Sequence, residues 1–247
     1  MTETRGLCTV NIKSEIVKAW GVHAYTMLGG VLGMLALIAI SDNQIQIAWI
    51  LLIIAFIIDM TDGTLARRYQ VSTVLPQFDG AKIDDLIDFL TYVWAPILII
   101  HASGLISNPL WLALPILGSL YAYGRPGMKE IDGEAYFIGF PSYWNVVALY
   151  LYWLQPVEGV VVGLLIFFFI LSFIPSRYLY PSKNPKFPQI TLGVGLIWLI
   201  TVIVFIFQPP TNTMLIFISL IYPIYYMLAS FYVELSYVRQ NRRMQTG

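Results

Sequence analysis

Residues 45–104 read IQIAWILLIIAFIIDMTDGTLARRYQVSTVLPQFDGAKIDDLIDFLTYVWAPILIIHASG, two apolar runs joined by a polar segment dense in aspartate. A helix needs about 20 apolar residues to cross a hydrocarbon core about 30 Å thick. The stretches 45–61 and 84–104 meet that need, and similar runs recur at 21–40, 109–124, 135–155, 158–175, 189–208 and 213–235. Polar breakers separate several of them: SDNQ at 41–44, SNP at 107–109, PSKNPKFP at 181–188 and QPPTN at 208–212. The pattern predicts an all-α, polytopic membrane protein with eight transmembrane helices. Barrel strands would be about half as long and would alternate in polarity, which these runs do not. Composition agrees: 58% of the 247 residues are apolar, mean hydropathy is +0.72, and charged residues make up 11%. A soluble domain carries about 25%. A single domain over 1–247 is expected, with 21–238 as the bundle. Ile12, Ile16, Val17 and Trp20 beside Lys13 and Lys18 predict a short interfacial helix within 1–20.

Fourteen Lys/Arg balance fourteen Asp/Glu, so their arrangement carries the information and their sum does not. No basic footprint for nucleic acid is visible. Basic residues are retained on the cytoplasmic side of a membrane. Here they occur before span 1, between spans 2 and 3, after spans 4 and 6, and after span 8, so both termini and the even-numbered loops are predicted to be cytoplasmic. The N-terminus lacks the basic-then-apolar layout of a secretory leader, so the apolar segments are expected to remain in the mature protein. Cys8 is the only cysteine and cannot complete an internal disulfide or a thiolate metal site.

Asp59 and Asp62 are three residues apart; Asp84 and Asp88 are four apart. Either spacing sets two carboxylates on one helical face, so neighbouring helices can aim all four at one point. Such a set repels itself and is costly near a bilayer unless cations neutralise it. Oxygen ligands favour magnesium or manganese; zinc would prefer histidine and cysteine. Gly63 and Ala66 leave room for a flat ring or phosphate near the backbone, Arg67 adds a donor fork, and Gly80 opens a helix N-terminus to an anion. Asp79 and Asp85, taken singly, read as caps or partners of nearby bases. Gly29, Gly30 and Gly33 are expected to let span 1 pack closely against a neighbour.

Asp59, Asp62, Gly63, Ala66, Arg67, Gly80, Asp84 and Asp88 fill the pattern D-x2-D-G-x2-A-R, spacer, G-x3-D-x3-D. This resembles the signature of the CDP-alcohol phosphotransferase family. The spacer between Arg67 and Gly80 is twelve residues, against the family's usual eight, and resembles the bacterial branch that forms phosphatidylcholine. The resemblance implies attack of choline on CDP-diacylglycerol, giving phosphatidylcholine and CMP, with manganese or magnesium and two ions at the site. It implies metal ligation by Asp59, Asp62, Asp84 and Asp88, with Asp88 as general base. Asp62, Gly63, Ala66, Arg67 and Gly80 match the nucleotide contacts. His23 and Thr26 loosely match an N-x-L-T element that frames the nucleotide, with histidine in place of asparagine. A homodimer in the bacterial inner membrane, its active site facing the cytoplasm, is also implied.

Choline has no N–H to donate, so its recognition calls for aromatic faces and a carboxylate. The sequence points to Glu134, Tyr136, Tyr143 and Trp144, with Tyr92 and Tyr123 on neighbouring spans. Serine, glycerol 3-phosphate or inositol phosphate are the alternative acceptors for the same chemistry. A cation-coupled transporter is the alternative from a different class, although transporter sites tend to lie at the bilayer midplane.

Overall fold

The structure, a computed structural model, describes residues 4–125, 136–180 and 188–245. The described chain is mostly helical and divides into two compact units, Met1–Ala95 and Pro96–Gly247.

In the first unit, α1 (Thr4–Ser41) and α2 (Ile45–Arg68) form a hairpin. Asn43 closes α1 in the left-handed region at φ 58°, a conformation asparagine tolerates. The Gln44 N–H then reaches Ala39 O and the Asn43 N–H reaches Ile40 O, satisfying carbonyls that the helix end would orphan. The segment expected as a short interfacial helix is helical and runs on into span 1. No helix break occurs between Thr4 and Ser41, so the N-terminal segment and span 1 are one helix of 38 residues. At 1.5 Å per residue this is about 57 Å, well beyond the thickness of a bilayer core.

After α2 the chain makes a short helix, α3 (Val71–Val74). Val71 and Leu75 bury against Ala19 and Val22 of α1, with Leu65, Ala66, Tyr69, Val74 and Phe78 around them. The long spacer therefore forms a packed helical turn. Asp79 then caps α4 (Gly80–Asp88) by accepting from the Lys82 N–H at 3.1 Å, as the sequence suggested. A π-helical turn (Phe89–Trp94) and α5 (Ala95–Ala102) continue the helix, so the expected span at 84–104 is helical to residue 102. The glycines of α1 do what their spacing implied. A Cβ on Gly33 would lie 2.6 Å from Leu90 Cδ2, and one on Gly29 would lie 3.2 Å from Ile87 Cγ2.

The second unit opens with a 3-10 turn (Pro109–Leu112) and α6 (Ala113–Gly124), which packs along α8 (Glu158–Phe173). Between them, the expected span at 135–155 begins differently. Tyr136–Ile138 is a strand, β1, and the helix α7 covers only Trp144–Leu154. Gly139 (φ 80°), Pro141 and Ser142 (φ 56°) prevent a helix there. Eleven residues rise about 17 Å, too short to cross the core alone.

β1 pairs antiparallel with β2 (Arg177–Leu179) in the register Tyr136↔Leu179, Phe137↔Tyr178 and Ile138↔Arg177, a small departure from the all-α expectation. α9 (Pro188–Phe207), α10 (Thr213–Ser219) and α11 (Ile221–Gln245) follow. Pro223 has no N–H to offer Ser219 O, which fits the interruption between α10 and α11. β2 is anchored to α11: the Leu179 N–H donates to Ser230 Oγ, Tyr226 OH donates to Leu179 O, and Arg177 donates to Glu234 through N–H and guanidinium.

Four stretches among the described residues are long and apolar enough to cross a membrane: Lys13–Ser41, Ile45–Arg68, Ile190–Phe207 and Thr213–Arg239. Large apolar side chains such as Leu28, Val31, Ile38, Ile197 and Ile200 stay exposed on these helices. Water would penalise such faces and lipid does not, which identifies a membrane protein.

Candidate functional site

All eight positions of the acidic motif lie in the first unit. α2 is apolar until its last turns, where Asp59 and Asp62 enter with Thr61 between them. The Thr61 hydroxyl bonds back to Ile57 O and Ile58 O and meets Tyr25 OH at 2.9 Å. This ties α2 to α1 beside the acids.

α4 supplies Asp84 and Asp88 on one face. One carboxylate oxygen from each of Asp59, Asp84 and Asp88 lies within 4.8 Å of the others, with all three residues partly buried. A hard cation with metal–oxygen distances of about 2.0–2.6 Å can bridge such a span. The donor set is oxygen only, so these residues fit magnesium or manganese. Asp62, expected as the fourth ligand, is outside this trio. It is buried and accepts from Thr26 Oγ1 at 2.8 Å. Thr26, expected at the nucleotide, thus touches a motif carboxylate.

The glycines of the motif differ in their surroundings. A Cβ built on Gly63 would meet only Arg67 Nη1, at 3.5 Å, so its missing side chain faces open space beside a guanidinium. Arg67 donates to Thr64 Oγ1 at 3.1 Å. Ala66 packs on the core beneath α3. Gly80 abuts His23: its Cβ would lie 2.6 Å from His23 Cε1. The His23 ring also packs against Phe78 at 4.5 Å and Trp20 at 5.7 Å between centroids, and its Nε2 is buried without a hydrogen-bond partner among the described residues. Residues 20–26 of α1 therefore support the entry to α4 and, through Thr26, the carboxylates of α2.

Tyr92, considered from sequence only for its ring, donates its hydroxyl to Asp59 Oδ2 at 2.6 Å. Its position four residues after Asp88 was the available signal, because positions four apart are neighbours on a helix.

In the second unit, the aromatic residues considered for choline sit in a core. Trp144 has no exposed surface, donates Nε1–H to Ser119 Oγ at 2.9 Å, and meets Phe140 and Phe168 edge-on. Tyr136 is buried with Tyr178, Leu179, Tyr226 and Val233. Tyr143 is half-buried, with Phe137 and Tyr226 against its ring. Burial pushes the Tyr178 phenol above its ordinary pKa. Tyr136 and Tyr143 thus pack with Tyr226, and Trp144 packs with Phe140 and Phe168; Glu134 lies outside the described residues.

Comparison with known proteins agrees with the motif. The CDP-alcohol phosphatidyltransferase family pattern matches residues 23–225, spanning both units. The chain is 38% identical over 200 residues to a phosphatidylcholine synthase of Pseudomonas aeruginosa, covering 79% of this chain and 82% of the relative. It is 31% identical over 236 residues to a phosphatidylcholine synthase of Borreliella burgdorferi, covering 92% and 98%. A Legionella pneumophila protein of the same name is 32% identical over 231 residues, covering 89% of each chain. No solved structure matches the chain.

Proposed function

The chain belongs to the CDP-alcohol phosphatidyltransferase family, and from that membership we propose that it transfers the phosphatidyl group of CDP-diacylglycerol to choline. The products are phosphatidylcholine and CMP. The convergence of Asp59, from the end of α2, with Asp84 and Asp88 of α4 carries the reading. The choline acceptor is favoured by the phosphatidylcholine synthases that align over most of this chain.

The choline hydroxyl oxygen forms the new bond to the phosphatidyl phosphorus as the phosphorus–oxygen bond to CMP breaks. Asp88 accepts the hydroxyl proton, which a carboxylate at this position can do within hydrogen-bond reach of the acceptor. Asp59, Asp84 and Asp88, with Asp62, would hold manganese or magnesium, two ions by the family resemblance, which would supply positive charge against the pyrophosphate. Gly63 leaves space for the nucleotide, and the Arg67 guanidinium offers it a fixed donor pair. Ala66 and Gly80 are the remaining nucleotide contacts that the resemblance implies, and Thr26 holds Asp62. For choline recognition, the segment from Glu134 to Tyr143 is the proposed source of the carboxylate and an aromatic face.

On this reading, eight helical segments lie in a cytoplasmic membrane. The shorter ones are packed by their neighbours, and the acidic end of α2 opens to the cytoplasm. The charge pattern supports this orientation, because the loops between α1 and α2 and between α5 and α6 carry no Lys or Arg.

The test uses purified protein in detergent–lipid micelles with CDP-diacylglycerol and Mn2+, supplying choline, serine or glycerol 3-phosphate separately. CMP release and lipid product are read by mass spectrometry. Choline-dependent phosphatidylcholine, abolished by a chelator, is the expected result. A product with another acceptor would replace choline and keep the chemistry, while no CMP release with any acceptor would overturn the reading.

A further inference from the structure

The turn that follows Asp88 is not α-helical. Phe89–Trp94 is wound as a π-helix, and the Ala95 N–H closes it by donating to Leu90 O, five residues back. The Thr91 hydroxyl bonds back to Ile87 O at 3.0 Å within the same turn. Single π turns are rare and concentrate at functional sites. Their effect here is geometric. In an α-helix each residue advances about 100°, so positions four apart drift by about 40° per step. Asp88 would be offset from Asp84 by one such step and Tyr92 by two. A π turn winds fewer degrees per residue, so it reverses the second step and returns Tyr92 to the carboxylate face.

There the Tyr92 side chain is fixed from two directions. Its hydroxyl donates to Asp59 Oδ2 at 2.6 Å, and its ring meets Phe56, one turn earlier on α2, with centroids 6.2 Å apart. Only 8% of the residue is exposed, so its ring is committed to packing. A short hydrogen bond to an ionised oxygen is among the stronger kinds. A donor on one carboxylate oxygen fixes the plane of the carboxylate and hence the direction in which it can present lone pairs to a cation.

We infer that Tyr92 is a positioning residue for a divalent cation: its hydroxyl, brought round by the π turn, holds Asp59 in the orientation that joins it to Asp84 and Asp88. The inference rests on the metal-assisted transfer proposed above. It assigns Tyr92 a part in that chemistry which does not involve touching the substrate, in contrast to an aromatic face for choline.

The experiment compares wild type, Tyr92→Phe and Phe56→Leu, purified in micelles, by Mn2+ binding without substrate, read by electron paramagnetic resonance. Tyr92→Phe keeps the ring and removes only the donor. Its Mn2+ dissociation constant is expected to rise about 10–100-fold, the cost typical of losing an outer partner of a metal ligand. The Mn2+ concentration for half-maximal CMP release should rise with it, while the KM for choline stays at the wild-type value. Phe56→Leu, which loosens the packing and keeps the hydroxyl, should bind Mn2+ within about twofold of wild type. Wild-type Mn2+ affinity in Tyr92→Phe, or an equal loss in Phe56→Leu, would overturn the inference and leave the proposed function standing. Wild-type protein that releases CMP without binding Mn2+ would overturn the metal-assisted reading and the inference together.

Discussion

The acidic end of α2 and the aromatic entry to α7 both place polar atoms in a largely apolar protein, and they do so in opposite ways. At Trp144 the polar group is closed off inside the fold: the indole N–H goes to Ser119, and Phe140 and Phe168 cover the ring. Around Asp59 the arrangement is held open: three carboxylates come within 4.8 Å, and hydroxyls from Tyr92 and Thr26 brace the acids of α2. Like charges gathered this closely raise the energy of the ionised set unless positive charge enters. A polar group whose needs are met inside the fold contributes stability, whereas a group kept near its own kind asks for a ligand.

Substitutions can separate the two regions, and the largest effect is expected at the carboxylates. Asp88→Asn keeps the size of the side chain and removes its capacity to accept a proton. CMP release should fall about 10²–10⁴-fold, the usual contribution of a positioned base. Thermal unfolding should change little. Full turnover in this variant would remove Asp88 as the base.

A second contrast lies between two glycines of the first unit. Gly33→Val adds bulk where even a Cβ would lie 2.6 Å from Leu90, so overpacking should cost about 1–3 kcal/mol in denaturant unfolding. Gly63→Ala meets only the tip of Arg67 at 3.5 Å and should leave stability alone while raising the KM for CDP-diacylglycerol. Equal stability losses at both positions would erase the distinction between a packed and an open glycine.

In the second unit, Trp144→Phe leaves Ser119 Oγ without its donor inside the core. The expected cost is about 1–3 kcal/mol, read by thermal or denaturant unfolding. The KM for choline should stay at the wild-type value. A raised KM with unchanged stability would make Trp144 a binding residue and reverse the comparison. The smallest effect is expected at the helix cap: Asp79→Ala, which removes the acceptor for Lys82 N–H, should cost about 1 kcal/mol.

The parts of this arrangement that were legible in the sequence are those set by local spacing. Asp59 with Asp62 and Asp84 with Asp88 share helical faces at offsets of three and four, and Gly29 and Gly33 repeat along one face of α1. Asp79 announces a cap because it stands just before a helical run. Less was legible where the outcome depends on distant partners or on backbone register. The partner of the Trp144 indole is Ser119, 25 residues away, and the β1–β2 ribbon joins segments on either side of α7 and α8. Four spans follow directly from length and apolar content, but the run at 135–155 hid a strand and a turn because Tyr, Phe and Ile suit both strand and helix. The π turn leaves no mark in an apolar pattern that already fits an α-helix. The continuity of α1 was obscured by charges at Lys13 and Lys18, which do not break the helix.

The central claim, that the carboxylates shared between α2 and α4 form a divalent-cation centre for phosphatidyl transfer, is tested most directly by titrating Mn2+ into wild type and Asp84→Asn. Both proteins receive CDP-diacylglycerol and choline, and CMP release is followed. The account predicts saturable Mn2+ dependence in wild type and its loss, with turnover, in Asp84→Asn. Release of CMP that ignores Mn2+, or an Asp84→Asn protein that follows the wild-type curve, would contradict it.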